Sequence, residues 1–196
     1  MSEQFVWLTE EPMYREIRRS KHGEELRWLV NRETIHNAAT GETVTRAHLR
    51  HPGICVIAPF TDDGRIVLMR QYRYAANEYL WELSAGTLEG REANGRMMAV
   101  ETPEECARRE LLEETGYEAR EWQKVCECYA MPGMSDELMH VFFARGLTLR
   151  EQSLDVGEVI SEIRAFGLDE LRAMMARGEI RDAKTLVGLF YALSLG

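Results

Sequence analysis

Hydrophobic and polar positions are ordered most clearly in the middle of the chain. Ile54-Cys-Val-Ile-Ala-Pro-Phe60 is almost continuously apolar, Thr61-Asp-Asp-Gly64 carries turn residues, and Arg65-Ile-Val-Leu-Met-Arg-Gln-Tyr-Arg73 returns to strand-forming residues. Together they predict a β-hairpin. A further strand is expected over Tyr79 to Leu83, glycines punctuate residues 86 to 95, and Thr102-Pro-Glu-Glu105 marks a helix start. Threonine as N-cap, proline at the first helical position and glutamate three residues after the cap form a capping box. The helix should run to about Thr115 and stop at Gly116, a residue suited to the left-handed C-terminal position. Strands are predicted around Lys124 to Ala130, Leu138 to Ala144 and Val159 to Phe166, followed by helices at about Leu168 to Arg177 and Ala183 to Leu195. Residues 1 to 50 have a weaker strand-like texture, with a turn at Ala39-Thr40-Gly41. Strands and helices interleaved in this way predict an α+β sandwich rather than a doubly wound parallel sheet.

The chain of 196 residues, 45% of them apolar, can bury a substantial core. We expect an N-terminal β segment over 1–50 and one principal domain over 51–196. Ile54 to Phe60 and Leu186 to Leu195 are too short to cross a bilayer, and the N-terminus lacks a basic-then-apolar secretory pattern, so a cytoplasmic protein without a membrane partner is expected. The cysteines Cys55, Cys106, Cys126 and Cys128 form no C-x-x-C pair and have no histidine at zinc-finger spacing. A formal charge of -9 argues against a nucleic-acid partner. A small phosphorylated ligand stays open, provided that metal or clustered arginine supplies local positive charge.

Such a metal site is suggested on the capped helix. Glu110, Glu113 and Glu114 stand at i, i+3 and i+4, so like charges share one face, and Arg109 offsets part of the repulsion through Glu113. A solvated acidic face is the ordinary meaning of this run. A hard divalent cation, magnesium or else manganese, would turn the repulsion into binding. The wider pattern favours the cation: Gly95, five residues, Glu101, seven residues, then Arg109-Glu110-Leu111-x-Glu113-Glu114-x-Gly116. This resembles the Nudix box at every fixed position, with Tyr117 where an aliphatic residue is usual.

Resemblance to the Nudix hydrolase superfamily implies an α/β/α sandwich with a mixed sheet and attack of water on a diphosphate with divalent metal. It implies Glu110, Glu114 and the backbone carbonyl of Ala85 as metal ligands, Glu113 as a further ligand or supporting group, and Arg109 and Glu101 as residues that orient them. Arg70-Gln-Tyr-Arg73 and Leu80-Trp-Glu-Leu-Ser-Ala-Gly86 resemble the R-Q-x-R and W-E-L-P-A-G strands of the ADP-ribose pyrophosphatase branch, with Ser84 in place of proline. That places Arg70, Arg73 and Glu82 near substrate. Because Arg70 and Arg73 cannot share a face of an ideal strand, a bulge or a strand end is required to bring them together. Pro132, sixteen residues beyond Gly116 and followed by Glu137, resembles the feature that marks ADP-ribose pyrophosphatases.

One departure is the spacing from Gly86 to Glu101, fifteen residues. Either an insertion within Gly90 to Val100 lengthens the loop, or Gly95 is the box glycine. The general base is expected after the helix, at Glu158 or Glu162; Gly157 favours Glu158, on a loop able to close. Trp28 is a candidate for stacking on adenine, beside the alternative of ordinary packing. In similar enzymes the N-terminal segment helps form a homodimer. The expected reaction converts ADP-ribose to AMP and ribose 5-phosphate; the alternatives are another nucleoside diphosphate sugar such as GDP-mannose, and a Nudix-fold sensor without turnover.

Overall fold

The computed structural model describes residues 5–20, 23–155 and 157–195. Three antiparallel strands, β1 (Phe5–Ser20), β2 (Gly23–Asn37) and β3 (Thr43–Arg50), form an N-terminal sheet in the order β1-β2-β3. Irregularities in the β1–β2 register fall beside Pro12, which has no N–H for the ladder, and at two further points. After His51-Pro-Gly53 the chain enters β4 (Ile54–Pro59), buried along its whole length. Its alternating side chains feed two cores. Ile54, Val56 and Ala58 face one, with Phe143, Phe166, Leu171 and Leu189; Cys55 and Ile57 face the other, with Leu88, Cys106 and Leu111. A strand apolar on both faces belongs at the centre of a layered fold.

Thr61 to Gly64 form the expected turn, with the Gly64 N–H donating to the Thr61 carbonyl at 2.9 Å, but the predicted hairpin does not form. β5 (Ile66–Arg73) forms no ladder with β4 beyond an isolated bridge of Phe60, just past β4, with Ile66, and joins a different sheet. Both edges of β4 are already taken, by β11 (Leu138–Leu149) in parallel and by β7 (Ser84–Thr87) antiparallel. β5 instead pairs with β6 (Glu78–Glu82) and β12 (Ile160–Phe166), while β10 (Tyr117–Tyr129) completes the order β10-β11-β4-β7. The strand expected over Tyr79 to Leu83 is therefore two: the chain changes sheets at Leu83, whose N–H is held by the Thr185 hydroxyl at 2.9 Å.

Residues 90 to 99 are not an open loop. β8 (Gly90–Ala93) and β9 (Arg96–Ala99) form a small hairpin around Asn94-Gly95, both with positive φ. α1 (Pro103–Thr115) carries the predicted capping box on Thr102 and Glu105 and ends on Gly116 at φ 74°. It packs on β4 and β7, while α3 (Ala183–Leu195) packs on the opposite face of β4 and on β11. α2 (Leu168–Ala176) buries Leu171 and Met174 in the α3-side core. The result is a mixed-sheet α/β/α sandwich with a separate N-terminal sheet. No described helix is long and apolar enough to cross a membrane.

Candidate active site

The inner face of α1 meets the end of β7 with almost no spare room. A Cβ on Gly86 would lie 1.9 Å from the Glu110 side chain, so the carboxylate can sit against β7 here because residue 86 has no side chain. Gly95, by contrast, sits at the tip of the β8–β9 hairpin, which lies in the chain between that contact and α1. Glu110 and Glu114 are buried at this contact, one helical turn apart. Glu114 Oε2 accepts from the Ser84 hydroxyl at 2.7 Å and from the Ala85 N–H at 3.0 Å. Arg109 donates to Glu110 at 2.7 Å, to Glu113 at 3.4 Å and to Glu101 at 2.9 Å; Glu101 also accepts the Glu89 N–H at 2.7 Å. Arg109 thus ties the helix to the strand-to-helix loop.

Glu110 and Glu114 open into a cavity of about 200 Å³, which also holds Ala85, Glu137 and Glu158. Burial pushes the Glu110 carboxyl up to about 7 against the pull of Arg109. Burial, and then the charge of Glu110, raise Glu114 well above the usual carboxylate range. Burial likewise raises Glu137. Two buried carboxylates held side by side at this cost suit a cation between them. Among the described residues no three acidic, histidine or cysteine side chains form a metal cluster on their own. A hard divalent cation can be held by one or two carboxylates and complete its shell with water and substrate phosphate. The oxygen-only set of Glu110, Glu114 and the Ala85 carbonyl therefore fits such an ion.

Positive charge faces these carboxylates from three directions. Arg18 and Arg27 come from the N-terminal sheet, Arg73 from β5 and Lys184 from α3. Arg27 donates to the Thr87 hydroxyl at 2.7 Å and has no carboxylate ion pair among the described residues. Burial, then the charge of Arg18, lower its pKa. Arg18 bridges Asp155 and Glu158, each at 3.1 Å. Arg73 grips the fully buried Glu82 with two bonds, at 2.8 and 2.6 Å, and Lys184 pairs with the same carboxylate. His51 also lines the cavity, its Nδ1 accepting the Gly53 N–H at 3.1 Å.

Several sequence expectations fall elsewhere. Arg70 and Arg73 do not converge: β5 keeps a regular register with β6, and Arg70 lies exposed over the Tyr79 ring on the opposite face. Trp28 packs against Tyr14, with ring centroids 5.6 Å apart, and is not part of the cavity wall. Pro132 is exposed and lines a separate cleft with Trp7, Arg50 and Tyr129. Glu113 lines a smaller adjoining cleft shared with Arg27 and Glu110. Glu162 is exposed on β12, so of the two base candidates only Glu158 reaches the cavity. Arg18, Arg27 and Lys184 escaped sequence reading because each sits in an unmarked charged stretch, where the demand for local positive charge was the one signal; His51, before Pro52-Gly53, carried no such signal.

The chain matches the NUDIX domain family over residues 49–187. It is 34% identical over 153 residues to an ADP-ribose pyrophosphatase of Bacillus subtilis, covering 77% of each chain. It is 30% identical over 164 residues to a GDP-mannose pyrophosphatase of Yersinia enterocolitica, covering 80% of this chain and 81% of that one. A solved structure of an ADP compounds hydrolase superposes with a TM-score of 0.72 at 20% identity, covering 98% of this chain and 94% of that one, and so shares the fold.

Proposed function

Given that the chain belongs to the NUDIX family and is a pyrophosphohydrolase of its ADP-ribose pyrophosphatase-like branch, we propose that it hydrolyses ADP-ribose to AMP and ribose 5-phosphate with magnesium. The observation that carries this reading is the cavity itself: two buried glutamates of α1 face four cationic side chains from three other parts of the chain. Magnesium held by Glu110, Glu114 and the Ala85 carbonyl would neutralise the diphosphate and make a bound water more acidic.

The chain's own residues do the rest. Arg27, Arg18 and Lys184 supply donors to the non-bridging phosphate oxygens; Arg27 is the best placed, having no carboxylate ion pair among the described residues. Glu82 holds Arg73 and Lys184 at the wall. Arg109 keeps Glu110 and Glu101 in register. Glu158, on the loop before β12, accepts the proton of the attacking water, and its pairing with Arg18 holds it at the rim until substrate arrives. The exposed apolar side chains of β1, Phe5, Leu8, Met13, Tyr14 and Ile17, each about half exposed, support a homodimer through the 1–50 segment.

A second reading, GDP-mannose as substrate, is favoured by the Yersinia relative. Chromatography of products from a panel with magnesium decides between them. AMP and ribose 5-phosphate from ADP-ribose, absent with Glu114→Gln, is the expected result. GMP and mannose 1-phosphate in preference would replace the substrate and keep the chemistry; ligand binding with no product from any panel member would overturn both.

A further inference from the structure

β7 holds Glu114 in a lopsided way. Its Oε2 takes both donors, the Ser84 hydroxyl and the Ala85 N–H, whereas Oε1 has no donor among the described residues. Ser84 is itself 1% exposed, and its hydroxyl donates to Glu114 inside the protein. Its backbone is fixed as well: the preceding residue, Leu83, is anchored by Thr185, and Ser84 pairs with Ile57 on β4. A rotating carboxylate would share its donors between both oxygens. Here both donors hold the same oxygen, Oε2, and Glu114 lines the cavity. Proline, the residue found here in the similar W-E-L-P-A-G strand, could donate nothing from its side chain.

We propose that Ser84 is a positioning residue that pins Glu114 Oε2 to β7 and thereby presents Oε1 to the divalent cation, so that it sets affinity for metal and not for the nucleotide. The inference rests on the metal-dependent reading above. It separates from a packing role because removing the hydroxyl and removing volume are different changes. Ser84→Ala loses both; Ser84→Cys loses no volume and replaces a strong donor with a weak one. A partner that orients a ligating group is typically worth tenfold to a hundredfold in metal affinity.

The test is Mn2+ titration followed by electron paramagnetic resonance, without substrate, on the full chain, Ser84→Ala, Ser84→Cys and Glu114→Gln. Steady-state kinetics at saturating metal accompany it. The expected result is a roughly tenfold weaker Mn2+ Kd in both Ser84 variants, with KM for nucleotide within about twofold of the parent. Wild-type affinity in Ser84→Cys with loss only in Ser84→Ala would make the residue a packing group and overturn the proposal. Wild-type affinity in both, with Glu114→Gln defective, would also overturn it while leaving the metal site standing. Equal Mn2+ binding by the parent and Glu114→Gln would instead remove the metal reading, and this proposal with it.

Discussion

His51 and Glu158 show how a side chain's surroundings set its chemistry. His51 is buried, its Nδ1 is committed as an acceptor to Gly53, and burial followed by the nearby Arg27 charge lowers its pKa from 6.5 to about 4, against the pull of Asp136. The unfolded chain thus takes up a proton near pH 6.5 and the folded chain only near 4. The stability tied to this neutral imidazole is fully present above 6.5 and is lost as pH falls toward 4, an effect on the order of 3 kcal/mol. Urea unfolding at pH 7 and 4.5 should show a larger loss for the parent than for His51→Gln; equal losses would refute the assignment. Glu158 makes a separate prediction. Glu158→Gln should lower kcat by roughly a hundredfold or more, as expected for a lost general base, while Glu162→Gln, exposed on β12, should leave it unchanged. The reverse pattern in steady-state assays would move the base to Glu162.

At the scale of elements, α1 is specified twice over. Its own sequence supplies the capping box and the Gly116 stop, and its approach to β7 depends on what Gly86 lacks. A methyl group at Gly86 would lie 1.9 Å from the Glu110 side chain, so the helix must retreat or the carboxylate must leave the cavity. Gly86→Ala should therefore cost at least about a hundredfold in kcat, equivalent to about 3 kcal/mol, with far-UV circular dichroism unchanged. Near-parental activity would show that the contact is slack. The β8–β9 hairpin is legible in hindsight from its Asn94-Gly95 turn. The 61–64 turn is a contrary case: a good turn sequence joined two strands that do not pair, because pairing partners for β4 come from residues 84–87 and 138–149.

For the whole molecule, the N-terminal sheet is part of the site as well as a candidate interface. It sends Arg18 and Arg27 into the cavity, and its buried Glu33 receives bonds from Trp7 and Arg50 and pairs with His48. Burial opposes ionisation of Glu33, but these three partners hold its carboxyl below the usual range. Arg50 continues the link to Asp136, joining the sheet to the 131–137 loop. Arg27→Ala should raise KM for ADP-ribose about tenfold, with a smaller change in kcat, because it removes a phosphate donor and leaves the carboxylates of α1 in place. An unchanged KM would remove Arg27 from the substrate site. Light scattering should give the mass of a dimer, and Ile17→Asp, at an exposed position of β1, should shift it to monomer. A parental monomer would end the dimer proposal.

Local rules acting within one stretch of chain determined α1 with its caps, the two closing helices, the fully buried run of β4 and the spacing of Glu101, Arg109, Glu110, Glu113 and Glu114. These features were readable because capping, periodicity and i, i+4 geometry depend only on near neighbours. Tertiary structure alone decided that β4 and β5 part into different sheets, that Arg73 faces Glu82 while Arg70 faces solvent, and that Trp28 and Pro132 stay outside the cavity. It also decided that Arg18, Arg27 and Lys184, far apart in sequence, meet the glutamates of α1. The physical reason is that a strand's partners and the side of the sheet that a residue takes are set by which edges and faces remain free once the core has packed, and nothing within a few residues of those positions records that outcome.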